Sequence, residues 1–357
     1  MVRILALVAL ALALTASAAS AAPFIISPTA DSSPGIAVDS AGTAHIAWGS
    51  KSGATNQITY CQVPRGATAC TNTKTFANPG NLGNSGTTQV LIKGSQIWIL
   101  FDVCCGGSEG ILMRKSTDGG ATFPPPTFKV SNLPAGFGLY RATLNQAGTG
   151  AAVNNDYGTR LGFVAFDGST SGQEPASLGN VGLGDREVLG YADVDWLNST
   201  TPFATQVGYL TNHHYTRIFD SSKTGYNNAA NWLPEARFDT KITQSAIGNG
   251  PAGIFVAGVT TVDHPFGKDE IALYRLSDAG AAGAPIPLIQ EATPPHSPTS
   301  MDLAQDGGGR LHVAWTDAGF DGKLYYEWSR NGTTFSPPQL IQLDPAAGGY
   351  DNRIAVA

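Results

Sequence analysis

The chain repeats itself, and the repeat constrains its fold more than any other feature. PGIAVDSAGTAHIAW, from Pro34 to Trp48, returns as SMDLAQDGGGRLHVAW, from Ser300 to Trp315. Asp39, Gly42, His45 and Trp48 match Asp306, Gly309, His312 and Trp315, each at an offset of 267. Weaker copies begin at Thr87, Tyr140, Arg186 and Lys241. Five steps over that distance give about 53 residues per unit, within the range of propeller blades. His45 and His312 hold equivalent places in two repeats, which makes them architectural.

Every unit reads alike. A short apolar strand A, a Gly turn and a strand B are followed by a polar loop and strand C. Strand C is ITYC, ILMRKS, LGFVAF, TRIFDS, IALYRLS or LYYEWS, and a Gly-containing turn leads on to strand D. Short strands bounded by Gly, Asp and Pro and repeated in fours describe an all-β propeller of four-stranded antiparallel blades. Abundant glycine (43) and proline (22) supply its turns, and no stretch offers a convincing amphipathic helix. The repeats fall near 34–80, 83–132, 137–180, 185–234, 237–290 and 296–344, with an incomplete one at 350–357, giving one domain over 23–357. Arg353-Ile-Ala-Val-Ala357 matches the start of the first strand A and then stops. The expectation is therefore either six blades with a trailing strand or seven blades cut short, with the fragment reading slightly favoured.

The first residues give an address. MVRILALVALALALTASAASAAP has an early cation, Arg3, an apolar run from Ile4 to Leu14 and then small residues. That is the layout of a secretory signal, residues 1–22, and the run is too short to span a bilayer. An exported, monomeric protein without a membrane span is expected. A net charge of −6 offers no polybasic surface, which argues against nucleic acid as a partner. Export makes the four cysteines readable as disulfide candidates. Cys61 and Cys70 bracket a short loop, which leaves Cys104 and Cys105 as a vicinal pair or free thiols; sequence allows three connectivities. No C-x-x-C spacing points to zinc, and no cofactor or metal is expected.

One stretch mimics an active site. Ser116-x-Asp118-x-Gly120-x-x-Phe123 resembles the Asp-box, S-x-D-x-G-x-x-[FW], of the BNR repeats in sialidase-like propellers. Ser329-Arg-Asn331-Gly332-Thr-Thr-Phe335 is a decayed copy after the sixth strand C, and Cys61-Gln-Val-Pro-Arg-Gly66 is a more distant echo. Short polar side chains bond backbone N–H groups in such turns, and glycine supplies the positive φ. The resemblance implies a structural box, so Asp118 is read as bonding backbone. Asn331-Gly-Thr also matches a glycosylation sequon, as does Asn198-Ser-Thr, but Asn331 is read as standing in for the turn aspartate.

The box is a C–D turn, and in the family it resembles the ligand binds the opposite face, around the starts of the A strands. Those starts carry Tyr140, Arg141, Arg186, Lys241 and Arg353. The B–C loops add Asn154, Asn155, Asp156 and Tyr157, then His213, His214 and Tyr215, then Asp263 and His264. Sialidases hold a sugar carboxylate with three arginines, one within an RIP motif; YRATLNQAGT and NRIAVA approach it without the proline. Arginine suits that role because it can form two parallel hydrogen bonds to one carboxylate. The plain alternative is a set of surface arginines at the blade starts. The catalytic candidates are Asp156, Tyr157, Tyr215, Glu187 and Glu270, and no motif assigns any of them, although glycosidic hydrolysis usually needs two positioned carboxyls. Gly106-x-Ser108-x-Gly110 matches an esterase elbow without the helix that elbow requires. Three functions stay open: a secreted protein binding extracellular carbohydrate or an anionic sugar, an exo-glycosidase of sialidase type, and a non-catalytic scaffold propeller.

Overall fold

The computed structural model describes residues 26–27, 34–52, 55–77, 87–103, 110–125, 128–129, 139–155, 161–166, 189–196, 201–208, 213–224, 228–234, 236–261, 269–277, 283–289, 298–317 and 324–341. Among these the chain forms 22 strands and one short 3-10 turn, all strand pairs being antiparallel. The first sheet runs β1 (Gly35–Val38), β2 (Ala44–Ser52), β3 (Thr55–Val63), β4 (Asn72–Ala77). The second runs β5 (Thr88–Lys93), β6 (Gln96–Val103), β7 (Gly110–Ser116), β8 (Phe128–Lys129). The third holds β9 (Leu139–Leu144), β10 (Gly150–Asn155) and β11 (Leu161–Ala165).

A seven-stranded sheet comes next: β12 (Leu189–Trp196), β13 (Pro202–Gly208), β14 (His213–Ile218), β15 (Ala236–Gly250), β16 (Gly253–Thr261), β17 (Asp269–Leu276) and β18 (Ile286–Ile289). It is two units sharing one long strand. The first part of β15, as far as Lys241, pairs with β14, and the rest, from Ile242, pairs with β16. The outer strand of one unit thus runs unbroken into the inner strand of the next. The last sheet runs β19 (Pro298–Gln305), β20 (Leu311–Asp317), β21 (Leu324–Ser329), β22 (Gln339–Ile341).

Stacking sheets face to face explains the apolar runs. Ile97-Trp-Ile-Leu-Phe101 is buried at every position, no residue exceeding 1% exposure. Alternate residues of a strand point to opposite faces, so such a run needs both faces covered. Ile97, Ile99 and Phe101 meet Ala47, Ile58 and Tyr60 of the first sheet. Trp98 and Leu100 meet Ala151 and Val153 of the third. Equivalent clusters join the two units that share β15, and the last two units. Near the inner strands backbones come close: a Cβ on Gly35 would lie 2.6 Å from the Thr88 carbonyl oxygen.

The Ser116–Phe123 turn is a staple between sheets. Ser116 Oγ accepts the Gly120 N–H at 2.9 Å and donates to Asp118 Oδ1 at 2.7 Å. Asp118 in turn accepts the Thr122 N–H at 2.9 Å and its hydroxyl at 2.6 Å. Hydrogen bonds from the Thr122 hydroxyl and amide, with that from Ser116, pull the Asp118 carboxyl down to about 2. Gly120, at φ 87°, sits against the buried Tyr60 of the preceding sheet, and Asn72 donates to its carbonyl at 3.0 Å. Phe123 packs edge-on to Tyr60 and Phe76. The Ser329–Phe335 turn repeats the plan: Ser329 Oγ accepts the Gly332 N–H at 3.0 Å, and Asn331 Oδ1 accepts those of Thr333 and Thr334. Asn331 does bind the turn where Asp118 does, on the side of its oxygen.

His45 and His312 also work within the frame. His45 Nδ1 lies 2.6 Å from the Tyr60 hydroxyl and Nε2 lies 3.2 Å from Asp39, whose carboxylate also caps its own turn. His312 repeats this with Tyr326 at 2.6 Å and Asp306 at 3.6 Å. Cys61 and Cys70 form a disulfide, and Cys104 and Cys105 lie outside the described residues. No helix among the described residues is long and apolar enough to cross a membrane.

Candidate functional site

Six inner strands converge on one cavity of about 260 Å³. Its walls are Ile36 of β1, Gln89 and Val90 of β5, Arg141 to Thr143 of β9, Asp195 of β12, Ile247 to Asn249 of β15 and Asp302 to Gln305 of β19. Each unit contributes its first strand because that strand lies nearest the common axis. The apolar half of each strand is spent on neighbouring sheets, as Leu303 and Ile247 are. Polar residues in between are left to face the opening.

Arg141 lines the cavity. From β9 its Nη2 crosses to Asp302 Oδ1 on β19, forming an ion pair between residues 161 positions apart. The two side chains are 15% and 6% exposed. Asp302 also accepts the Leu303 N–H at 3.0 Å. Asp195 accepts the Asn249 N–H at 3.1 Å, tying β12 to β15. Gln305 braces the β15–β16 turn of the preceding unit, donating to the carbonyls of Gly248 and Gly253 and accepting the Ala252 N–H. Among the described residues the cavity wall holds one guanidinium and two carboxylates, with Gln89, Thr143 and Asn249 as further polar wall. Such a surface can exchange hydrogen bonds with hydroxyl groups.

The cavity also extends to the far ends of the inner strands. Asp195, Asn249 and Gln305 lie at or near the last residues of β12, β15 and β19, on the side of the Ser116–Phe123 turn. Strand starts alone do not frame it. Of the other candidate residues, Tyr140 lies in β9, Lys241 in β15 and His213, His214 and Tyr215 in β14. The register brings His213 opposite Lys241, where β15 passes from one unit to the next. Asn154 and Asn155 end β10, and Asn154 pairs with Arg141 in register. Glu270 sits in β17, opposite Thr260. Arg186, Arg353, Asp156, Tyr157, Glu187, Asp263 and His264 lie outside the described residues. Among the described residues no group of three His, Cys, Asp or Glu is placed to hold a metal ion.

Sequence reasoning passed over Asp195, Asp302, Asn249, Gln89 and Gln305. Their signal was present as polar residues interrupting apolar inner strands, in TTQVL, DVDW, AIGNG and SMDLAQ. Without the ring there was no reason to set them beside one another.

No protein-family model matches the chain. Nor does any curated protein match it in sequence. Solved structures do resemble it in fold. A protein from Lactobacillus plantarum superposes with TM-score 0.55 at 13% identity, over 89% of this chain and 86% of that one. The polysaccharide lyase Uly1 gives 0.52 at 14% identity, over 94% and 86%. The Pseudomonas aeruginosa periplasmic gluconolactonase PpgL gives 0.52 at 10% identity, over 86% and 85%. These are propeller-type folds, and at such identities they establish the fold alone.

Proposed function

We propose that the protein is a secreted propeller that binds carbohydrate in the cavity where its inner strands meet. The observation carrying this reading is the convergence of six strands on a confined polar space, walled by Asp195, Asp302, Gln89, Thr143 and Asn249. Carboxylates and amides of this kind match sugar hydroxyls, which donate and accept at once. At about 260 Å³ the space is slightly smaller than the roughly 300 Å³ at which pockets for drug-sized ligands begin. That suits one sugar ring, free or at the end of a chain. A polysaccharide lyase and a gluconolactonase share the fold and act on sugar chemistry by their names, which is consistent with the reading. Export is proposed on the signal-like N-terminus and agrees with the Cys61–Cys70 disulfide.

The test is a glycan array probed with the purified protein, alongside Gln89→Ala and Asp195→Ala. Binding of a defined set of glycans, weakened at least tenfold in both variants, is the expected result. A panel of arylglycosides run in parallel checks for turnover, which would convert the binding protein into a glycosidase. Silence on both array and panel would leave a scaffold propeller and end the carbohydrate reading.

A further inference from the structure

We infer that Asn331 is an attachment site for an N-linked oligosaccharide, because its turn uses the side-chain oxygen and leaves the nitrogen free. This rests on the export proposed above and not on what the cavity binds. Asn331-Gly332-Thr333 matches the acceptor pattern N-x-[ST], which belongs to surface loops of secreted proteins. Such a match is frequent by chance, and a side chain that completes a turn is already in use. Here two different atoms do the two jobs. Asn331 Oδ1 accepts the Thr333 N–H at 3.0 Å and the Thr334 N–H at 2.9 Å, with the Ser329 hydroxyl 3.1 Å away. Backbone amides only donate, so they fix which end of the side chain is oxygen and which is nitrogen. Nδ2 has no hydrogen-bond partner among the described residues, and Asn331 is exposed. The second unit's turn differs at this point. Asp118 accepts the Thr122 N–H on Oδ1 and the Thr122 hydroxyl on Oδ2, so neither side-chain oxygen is left over.

The surroundings suit an acceptor. Arg330, Thr333 and Thr334 are exposed, while a Cβ on Gly332 would lie 2.8 Å from the Phe255 ring. The packed side of the turn is therefore the glycine side, and Asn331 stands on the open side. Transfer needs only its nitrogen. The amide nitrogen attacks the anomeric carbon of an oligosaccharide carried on a lipid pyrophosphate. The pyrophosphate leaves with the bonding electrons, and one amide proton passes to the transferase. The product is a secondary amide whose carbonyl oxygen still accepts, so both backbone bonds of the turn survive. Asn198, the other match to the pattern, lies outside the described residues.

The full chain, secreted under its own leader from cells that carry out N-glycosylation, tests this. Releasing glycans with an amidase in heavy-oxygen water, then mapping peptides, should show a labelled aspartate at position 331 in most molecules. Asn331→Asp and Thr333→Val should each abolish that label. Glycosylated wild type and unglycosylated Thr333→Val should melt alike, because the same two backbone bonds hold the turn in both. Asn331→Ala, which removes the acceptor oxygen, should melt lower than either. Secreted protein left unmodified at position 331 overturns the inference and leaves the carbohydrate reading standing. A glycan that persists in Thr333→Val overturns it as well. Glycosylated wild type melting far below Thr333→Val would mean that turn and glycan compete for the side chain, which also overturns it. Protein kept inside the cell with its leader uncleaved overturns both the export reading and this inference.

Discussion

Replacing Glu327 by glutamine should stabilise the protein at pH 8 and leave it nearly unchanged at pH 4. Glu327 lies in β21 opposite Val313 of β20, on the face that Leu311, Val313, Trp315 and Tyr325 pack against the preceding unit. It is 1% exposed, and neither carboxylate oxygen has a hydrogen-bond partner among the described residues. Burial therefore pushes its pKa from 4.5 up to about 7. The raised value means that the folded chain holds a proton the unfolded chain has already released between those two values. Stability consequently falls as pH climbs through that window, and the full penalty persists above pH 7. A shift of this size corresponds to about 3 kcal/mol at 1.36 kcal/mol per pH unit. Glutamine has nearly the same shape and no charge, and its unpaired amide replaces an equally unpaired protonated carboxyl, so the gain over wild type should grow from near zero at pH 4 to about 3 kcal/mol at pH 8. Urea titrations at half-unit intervals of pH read this difference directly. A difference that stays flat from pH 4 to pH 8 would refute the reasoning. The equivalent place in the second unit, two residues before Ser116, holds Arg114 with its guanidinium 5.3 Å from the Phe76 ring. Both units thus carry an ionisable group on this face, and Arg114 has an aromatic face beneath it.

Other outcomes are as definite. Gly120→Ala should cost about 2–4 kcal/mol, because the φ of 87° strains any Cβ and the new atom would lie 2.0 Å from the Tyr60 hydroxyl. Gly119→Ala, at φ 69° but with open space around it, should cost only about 1 kcal/mol in the same urea assay. Equal costs would mean that the turn does not seat on the preceding sheet. Removing the Cys61–Cys70 disulfide by Cys70→Ala should cost about 3 kcal/mol from loop-closure entropy, seen as a lower urea midpoint that reducing agent no longer changes. Asp118→Asn should weaken the turn at pH 6. There the wild-type carboxylate is charged and bonded; its advantage is lost as pH falls through about 2, so the two proteins' melting temperatures should converge at strongly acidic pH.

Much of this architecture is legible in the chain itself. Strand identity follows from short apolar runs between Gly, Asp and Pro, and all six stretches read as strand C coincide with or overlap β3, β7, β11, β14, β17 and β21. Local chemistry is legible for the same reason. Ser116, Asp118 and Gly120 complete their turn with bonds no more than four positions apart, so a motif of ten residues contains its own explanation. His45 and His312 declared a structural role by recurring together with Asp39 and Asp306.

What tertiary structure alone decided concerns partners far apart in sequence. Nothing near Arg141 announces that its charge is met by Asp302, 161 residues on, and a strand-A arginine reads equally well as an anion site. The sequence also leaves open that Tyr60 would be the floor under Gly120, or that Asp195 and Asn249 would share a wall with Gln89. A strand's pattern tells which of its faces are covered, since successive side chains point to opposite faces, and a run buried at every position, such as Ile97–Phe101, requires sheets stacked on both sides. Which polar side chains meet across the axis depends on how far each sheet turns relative to the last. That quantity accumulates around the ring and is written in no single segment.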